Sequence, residues 1–157
     1  MKTHKWKRVL FWVLVCEAVG GLSGWISREG LQIYLETAEK PPFTPPGILF
    51  AIVWPILYAL MGYAVAAVLD SDSKYREQGL LLFFTQLLAN FLWSPVFFRF
   101  QAYGAALGLI AVIWLLILLM LVTFWQIDKK AAYSQIPYFL WVTFATYLNA
   151  GVWFLNS

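Results

Sequence analysis

The sequence has one cysteine, one histidine and few charges, with charged residues at 12% of its 157 positions. Cys16 has no partner in the chain for a disulfide, and its place in an apolar run reads as a small packing side chain. His4 lies in the N-terminal tail, so the apolar body has no histidine to ligate haem iron or a metal. There is no nucleophile elbow, no glycine-rich phosphate loop and no pair of carboxylates at helical spacing in an apolar segment. Any chemistry here must take much of its reactivity from a ligand, and neither a metal nor a separate cofactor is expected. The net charge of +3 does not point to nucleic acid, because the basic residues cluster at the ends of the apolar runs, where they orient a membrane protein.

What the chain does have is hydrophobic bulk, at 62% of residues, and nine tryptophans. Such a composition describes an integral membrane protein of one domain, residues 1–157. Five apolar runs, about 9–26, 47–69, 80–98, 103–125 and 136–155, are each long enough to cross roughly 30 Å of hydrocarbon as a helix. The expected fold is thus an all-α bundle of five transmembrane helices embedded in a lipid bilayer. The basic start, Lys2 to Arg8, is also how a signal peptide begins. The run that follows is too long for a signal core, contains Glu17 and lacks a small-residue cleavage site. With the N-terminus inside, Lys2, Lys5, Lys7, Arg8, Lys74, Arg76, Lys129 and Lys130 fall on the inner side. Only Arg28, Lys40 and Arg99 fall outside, so the N-terminus is expected in and the C-terminus out. The connection from Ser27 to Thr44 would then be a long outer loop of the kind that forms lids.

The most informative stretch is KPPFTPPGILFAIVWPILYALMGYAVAAVL, residues 40–69. Pro45 and Pro46 suit the first turn of a helix, which lacks intrahelical partners for its N–H groups. Pro55 removes a backbone hydrogen bond and frees the Ala51 carbonyl, which is tolerable in a membrane only beside other helices or a cavity. Phe50, Trp54, Leu57 and Met61 share one face next to that break. Pro95 similarly frees the carbonyl of Phe91. Trp6, Trp12, Trp25, Trp125 and Trp153 lie near helix ends as interfacial anchors, whereas Trp54, Trp93 and Trp141 sit deeper. Residue counting puts Trp54 and Trp93 in the outer half and Trp141 near the midplane, so one ligand touching all three would be large and flat.

Amides in hydrocarbon must be hydrogen-bonded, which turns Gln86, Asn90 and Asn149 inward, either to the proline-freed carbonyls, to each other, or to a ligand. Glu17, a carboxyl inside the first span, is a functional candidate by position. It reads equally as a group hydrogen-bonded within the bundle or reaching toward the inner headgroups. Gly20 with Gly24, and Gly104 with Gly108, allow close helix approach, within the bundle or between two copies.

The runs KPPFTPPGILFAIVWPILYALMGYA, QLLANFLWSPVFF and PYFLWVTFATYLNAGVW closely resemble the TspO/MBR family, the tryptophan-rich sensory proteins related to mitochondrial translocator protein. The resemblance extends from Gly20 to Trp153. It implies a five-helix bundle, commonly a homodimer, with a pocket that binds porphyrins and, in mitochondrial members, cholesterol and synthetic benzodiazepine or isoquinoline carboxamide ligands. Trp54 and Tyr58 match the WPxLY motif, Asn90 and Trp93 match NxxWxP, and Trp141, Ala145 and Asn149 match WxxFxTxLN. These seven are the implied ligand-binding residues, with side-chain size at Ala145 affecting binding. The tryptophans matching Trp54 and Trp141 are implicated, in some bacterial members, in light- and oxygen-dependent breakdown of protoporphyrin IX. Two departures from mitochondrial members suit a bacterial plasma-membrane protein. Tyr147 is followed by no Lys or Arg, which removes the basic residue of the sterol motif, and the fourth-helix tryptophan that helps line the pocket in mammalian members aligns near Ala105. The expected function is tetrapyrrole binding with photo-oxidative degradation of protoporphyrin IX. The alternative is transport or sensing of tetrapyrroles or similar apolar ligands without turnover.

Overall fold

The computed structural model describes residues 5–157; Lys2 and His4, used in the charge and histidine arguments, lie outside the described residues. In chain order the elements are α1 (Lys5–Thr37), α2 (Gly47–Leu69), α3 (Arg76–Ser94) with a π-helical turn (Pro95–Arg99), α4 (Tyr103–Trp125), a short α5 (Lys129–Ser134) and α6 (Ile136–Leu155). Five segments are long and apolar enough to cross a membrane: α1, α2, α3 with its π turn, α4, and α5 together with α6. The protein is a multi-pass membrane bundle of five helices.

The first helix departs most from expectation. Hydropathy ends the span at Ile26, before Arg28 and Glu29, yet α1 continues for 33 residues to Thr37. A helix does not need to be apolar all round to continue, only to bury one stripe. Ser23, Ser27, Gly30 and Tyr34, at steps of four, three and four, form that stripe and are buried. A Cβ at Gly30 would collide with the Phe98 carbonyl. One turn on, Tyr34 packs edge-on against Phe97 and Phe98, at 5.4 and 5.3 Å between ring centroids.

The expected 27–44 loop therefore shrinks to residues 38–46, and it is tied down rather than free. The Glu39 N–H donates to Asn156 Oδ1 at 3.1 Å, and Asn156 Nδ2 donates to the Glu39 carbonyl at 2.8 Å. Tyr147 donates its hydroxyl to the Pro42 carbonyl at 2.7 Å, and the Pro41 ring lies on Gly151 of α6.

Two local features refine the other spans. Asp128 caps α5 by accepting from the N–H groups of Lys130 and Ala131, so the fifth crossing begins before Ile136. At Pro95, α3 passes into the π turn, and the carbonyl freed at Phe91 accepts from Ser23 Oγ at 2.8 Å. A hydroxyl from the neighbouring helix does this work, where the amides of the third and fifth spans were among the expected donors.

With no water to drive helices together inside a membrane, close approach rests on small residues and on packing. Between α1 and α2 the backbones meet at Gly62, where a Cβ would collide with the backbone of Trp12 and Val13. Gly20 lies against the Tyr58 ring, and Gly104 backs onto the Trp153 indole, so one glycine of each expected pair serves packing within the bundle. Gly24 and Gly108 face open space. On α4, Ala106, Ile110, Ile113, Ile117 and Met120 form a continuous buried stripe. Gly62→Val must force α1 away from α2. Its expected cost is about 1–3 kcal/mol, seen as a thermal midpoint several degrees lower in detergent, whereas Gly108→Val should leave the midpoint close to wild type.

Candidate ligand site within the bundle

Backbone approach in α2 is to α1, α3 and α5. Toward α6 it extends large aromatic side chains: Phe50 and Trp54 both meet the Trp141 ring edge-to-face, at 5.5 and 6.5 Å. Helices held apart by indoles leave space beside them, and here it is a cavity of about 320 Å³. The α1 wall runs from Glu17 past Gly20, Gly21, Ser23 and Gly24 to Leu31; the α2 wall runs from Gly47 to Tyr58. Asn90, Trp93, Ser94 and Phe98 close one side, and Trp141 with Ala145 close another. Gly21 and Gly24 on α1, with Ala51 and Pro55 on α2, line the cavity and are also exposed outward. The cavity thus opens sideways between α1 and α2, and the proline break of α2 lies at this mouth.

Six of the seven residues singled out in the sequence line the cavity: Trp54, Tyr58, Asn90, Trp93, Trp141 and Ala145. The seventh, Asn149, stands behind the wall, where its Oδ1 accepts from Trp93 Nε1 at 3.0 Å and its Nδ2 donates to the Tyr103 carbonyl at 2.9 Å. That fixes the Trp93 indole, which also stacks on Phe97 at 5.0 Å. Trp54 and Trp141 touch, so the offset in depth read from residue counting is bridged by their side chains, and one modest ligand can reach both.

Beside the cavity runs a hydrogen-bonded chain that joins three helices. The Tyr58 hydroxyl donates to Asn90 Oδ1 at 2.8 Å, Asn90 Nδ2 donates to the Tyr138 hydroxyl at 2.6 Å, and Tyr138 donates to Gln86 Oε1 at 2.6 Å. Tyr138 and Gln86 are fully buried. Sequence reasoning placed Gln86 and Asn90 inward but did not single out Tyr138. Its position one turn before Trp141, on the inward face of the fifth span, was the available signal. Ser23 was also missed, being one more small residue in a glycine-rich stretch.

One donor in the wall has no partner. Trp141 Nε1 is buried without a hydrogen-bond acceptor among the described residues. A buried N–H left unpaired costs about 1–3 kcal/mol, and that cost falls on a ring that also lines the cavity. In form it is a mostly apolar, aromatic-walled pocket with a few polar groups, at the lower end of the roughly 300–1,000 Å³ range of small-molecule sites.

A sequence model of the TspO/MBR family matches residues 12–154, which include all of these wall residues. The chain belongs to the TspO/MBR family. It is 38% identical over 144 residues to the tryptophan-rich protein TspO of Chlorobaculum tepidum, covering 90% of this chain and 91% of that protein. It is 33% identical over 141 residues to the protein CrtK of Rhodobacter capsulatus, covering 88% and 87% of the two chains. Similarity reaches the human translocator protein, at 31% identity over 134 residues, 83% of this chain and 79% of that one.

The tyrosine–amide chain makes this TspO/MBR protein sensitive to a single oxygen atom. Tyr138→Phe leaves the Asn90 amide and the Gln86 carbonyl without their shared partner. The expected loss is about 2 kcal/mol, measured as a lower thermal midpoint, with Tyr147→Phe at the loop as a milder control.

Proposed function

We propose that this is a tetrapyrrole-binding membrane protein that holds protoporphyrin IX against Trp54 and Trp141 and promotes its light- and oxygen-dependent breakdown. The observation that carries the reading is the edge-to-face pair of Trp54 and Trp141 in a cavity wall, with the Trp141 N–H unpartnered. A flat conjugated ring gains from stacking and edge contacts with indoles. Membership of the TspO/MBR family supports the same ligand class. In this reading the pigment absorbs the light and dioxygen is the oxidant. The protein's part is to fix the ring against Trp54 and Trp141, which shape the site or donate electrons. Ala145, buried in the wall, sets how close the ring can come. Benzodiazepine and isoquinoline carboxamide ligands would compete for the same space.

A second reading, carriage or sensing of tetrapyrroles without turnover, is favoured by one feature, the sideways mouth between α1 and α2. It suits a site that exchanges its ligand with the bilayer. In either reading the protein sits in a bacterial plasma membrane, N-terminus inside, and the open face at Gly108 offers a small-residue surface for a homodimer.

Protoporphyrin absorbance and fluorescence, followed in light and in dark with purified protein, separate the two. Wild type should bind the pigment and convert it in light to a defined product. The Trp54→Phe, Trp141→Phe double variant should bind it and form little of that product. Equal bleaching by both proteins, no faster than free pigment, would leave the carrier or sensor reading.

A further inference from the structure

Glu17 stands out once the cavity is drawn. It is on the cavity wall, one turn before Gly20, where α1 lies against the Tyr58 ring. The neighbouring positions on this wall are glycines and Ser23, whose hydroxyl is engaged by the Phe91 carbonyl. No cation among the described residues pairs with it. The one ion pair there joins Arg8 to Asp70, nine residues earlier on α1 or about 13 Å along its axis. On the other side, Arg28 Nη1 donates to the Trp25 carbonyl, and Lys40 Nζ donates to the carbonyls of Leu35 and Ala38.

A carboxyl group facing an apolar cavity within a membrane needs a cation or a hydrogen-bond donor. Among the described residues, no hydrogen bond or ion pair supplies either. What the protein does supply is aromatic surface: Tyr58, Trp54 and Trp141 share the cavity with Glu17, and Trp54 and Tyr58 lie 5.7 Å apart with their planes inclined by 32°. Ring faces attract cations, and a carboxylate beside such faces is the chemistry that recognises an ammonium group.

We propose that Glu17 is a specificity-determining residue that makes this cavity prefer apolar, aromatic ligands bearing a positively charged amine, and disfavour a carboxylate at the same end. The inference rests on this cavity being the ligand site, as above, but not on the ligand being a tetrapyrrole. For a ligand that carries carboxylates at one edge only, the same rule sets orientation: the acidic edge turns away from Glu17, toward Leu31 and Gly47 at the other end of the wall.

The test uses a matched series with one aromatic body, pyrenebutylamine, pyrenebutyric acid and its methyl ester. Binding is read by energy transfer from tryptophan to pyrene in zwitterionic nanodiscs. Wild type should bind the amine about tenfold more tightly than the ester, a gain of the size expected for one hydrogen bond to a charged group, and the acid most weakly. Glu17→Gln should abolish the amine's advantage while leaving ester affinity nearly unchanged. Glu17→Lys should reverse the order of amine and acid, which keeps the test alive if Glu17→Gln folds poorly. Equal affinities in wild type, no binding of any probe, or a uniform loss across the series in the variants would each overturn the proposal. If protoporphyrin fails to bind while the charge preference holds, the tetrapyrrole reading falls and this one stands.

Discussion

The structure depends on how polar side chains are matched where no water can match them. Three helices, α2, α3 and α6, are joined by the hydrogen-bonded chain from Tyr58 through Asn90 and Tyr138 to Gln86. In hydrocarbon, burial of apolar surface gives little preference for one helix register over another, because lipid is as good a solvent as a neighbouring leucine. A directional link between buried groups does distinguish registers, since a shift of one residue breaks it and leaves several polar atoms unpaired. The chain therefore sets where Trp54, Trp93 and Trp141 stand relative to one another, although none of the three belongs to it.

The prolines and glycines are the complement of that constraint. Pro55 and Pro95 each free a carbonyl, and each freed carbonyl needs either a partner or a cavity. Phe91 finds a partner in Ser23, and this ties the end of α3 to α1. Ala51 instead lies at the wall of an open space. Glycines at 62 and 30 let α1 approach α2 and the π turn until backbones touch. The same helix that is drawn in at these points presents bare backbone at Gly21 and Gly24, where no side chain fills the gap to α2. Tight contact at some levels and open space at another come from one residue type used twice.

Much of this was legible in the sequence, and the parts that were not fail for identifiable reasons. Five spans follow from hydropathy because lipid enforces length and composition. The inward set of Trp54, Asn90, Trp93, Trp141 and Ala145 follows from the cost of amides in hydrocarbon and from the motif resemblance. The true end of α1 was hidden because Arg28 and Glu29 read as a loop, while the buried stripe through Ser27, Gly30 and Tyr34 shows only when a helical period is imposed beyond the apolar run. Asn149 was placed correctly as an inward residue, yet which inward amide meets the cavity and which braces an indole is set by packing. Tyr138 has no distinguishing mark among eight tyrosines; only its two bonds give it importance.

The mouth between α1 and α2 changes what an affinity means for this protein. A site entered from the side of a membrane exchanges with solute dissolved in lipid, so the bilayer is its reservoir and sets the concentration it meets. An apolar molecule gives up most of its hydration on entering the membrane, before it reaches the protein, and the cavity contributes only the difference between lipid and indole as surroundings. Occupancy then follows the number of ligand molecules per lipid. The same protein would appear tight or weak in water-based units according to how much membrane or detergent accompanies it.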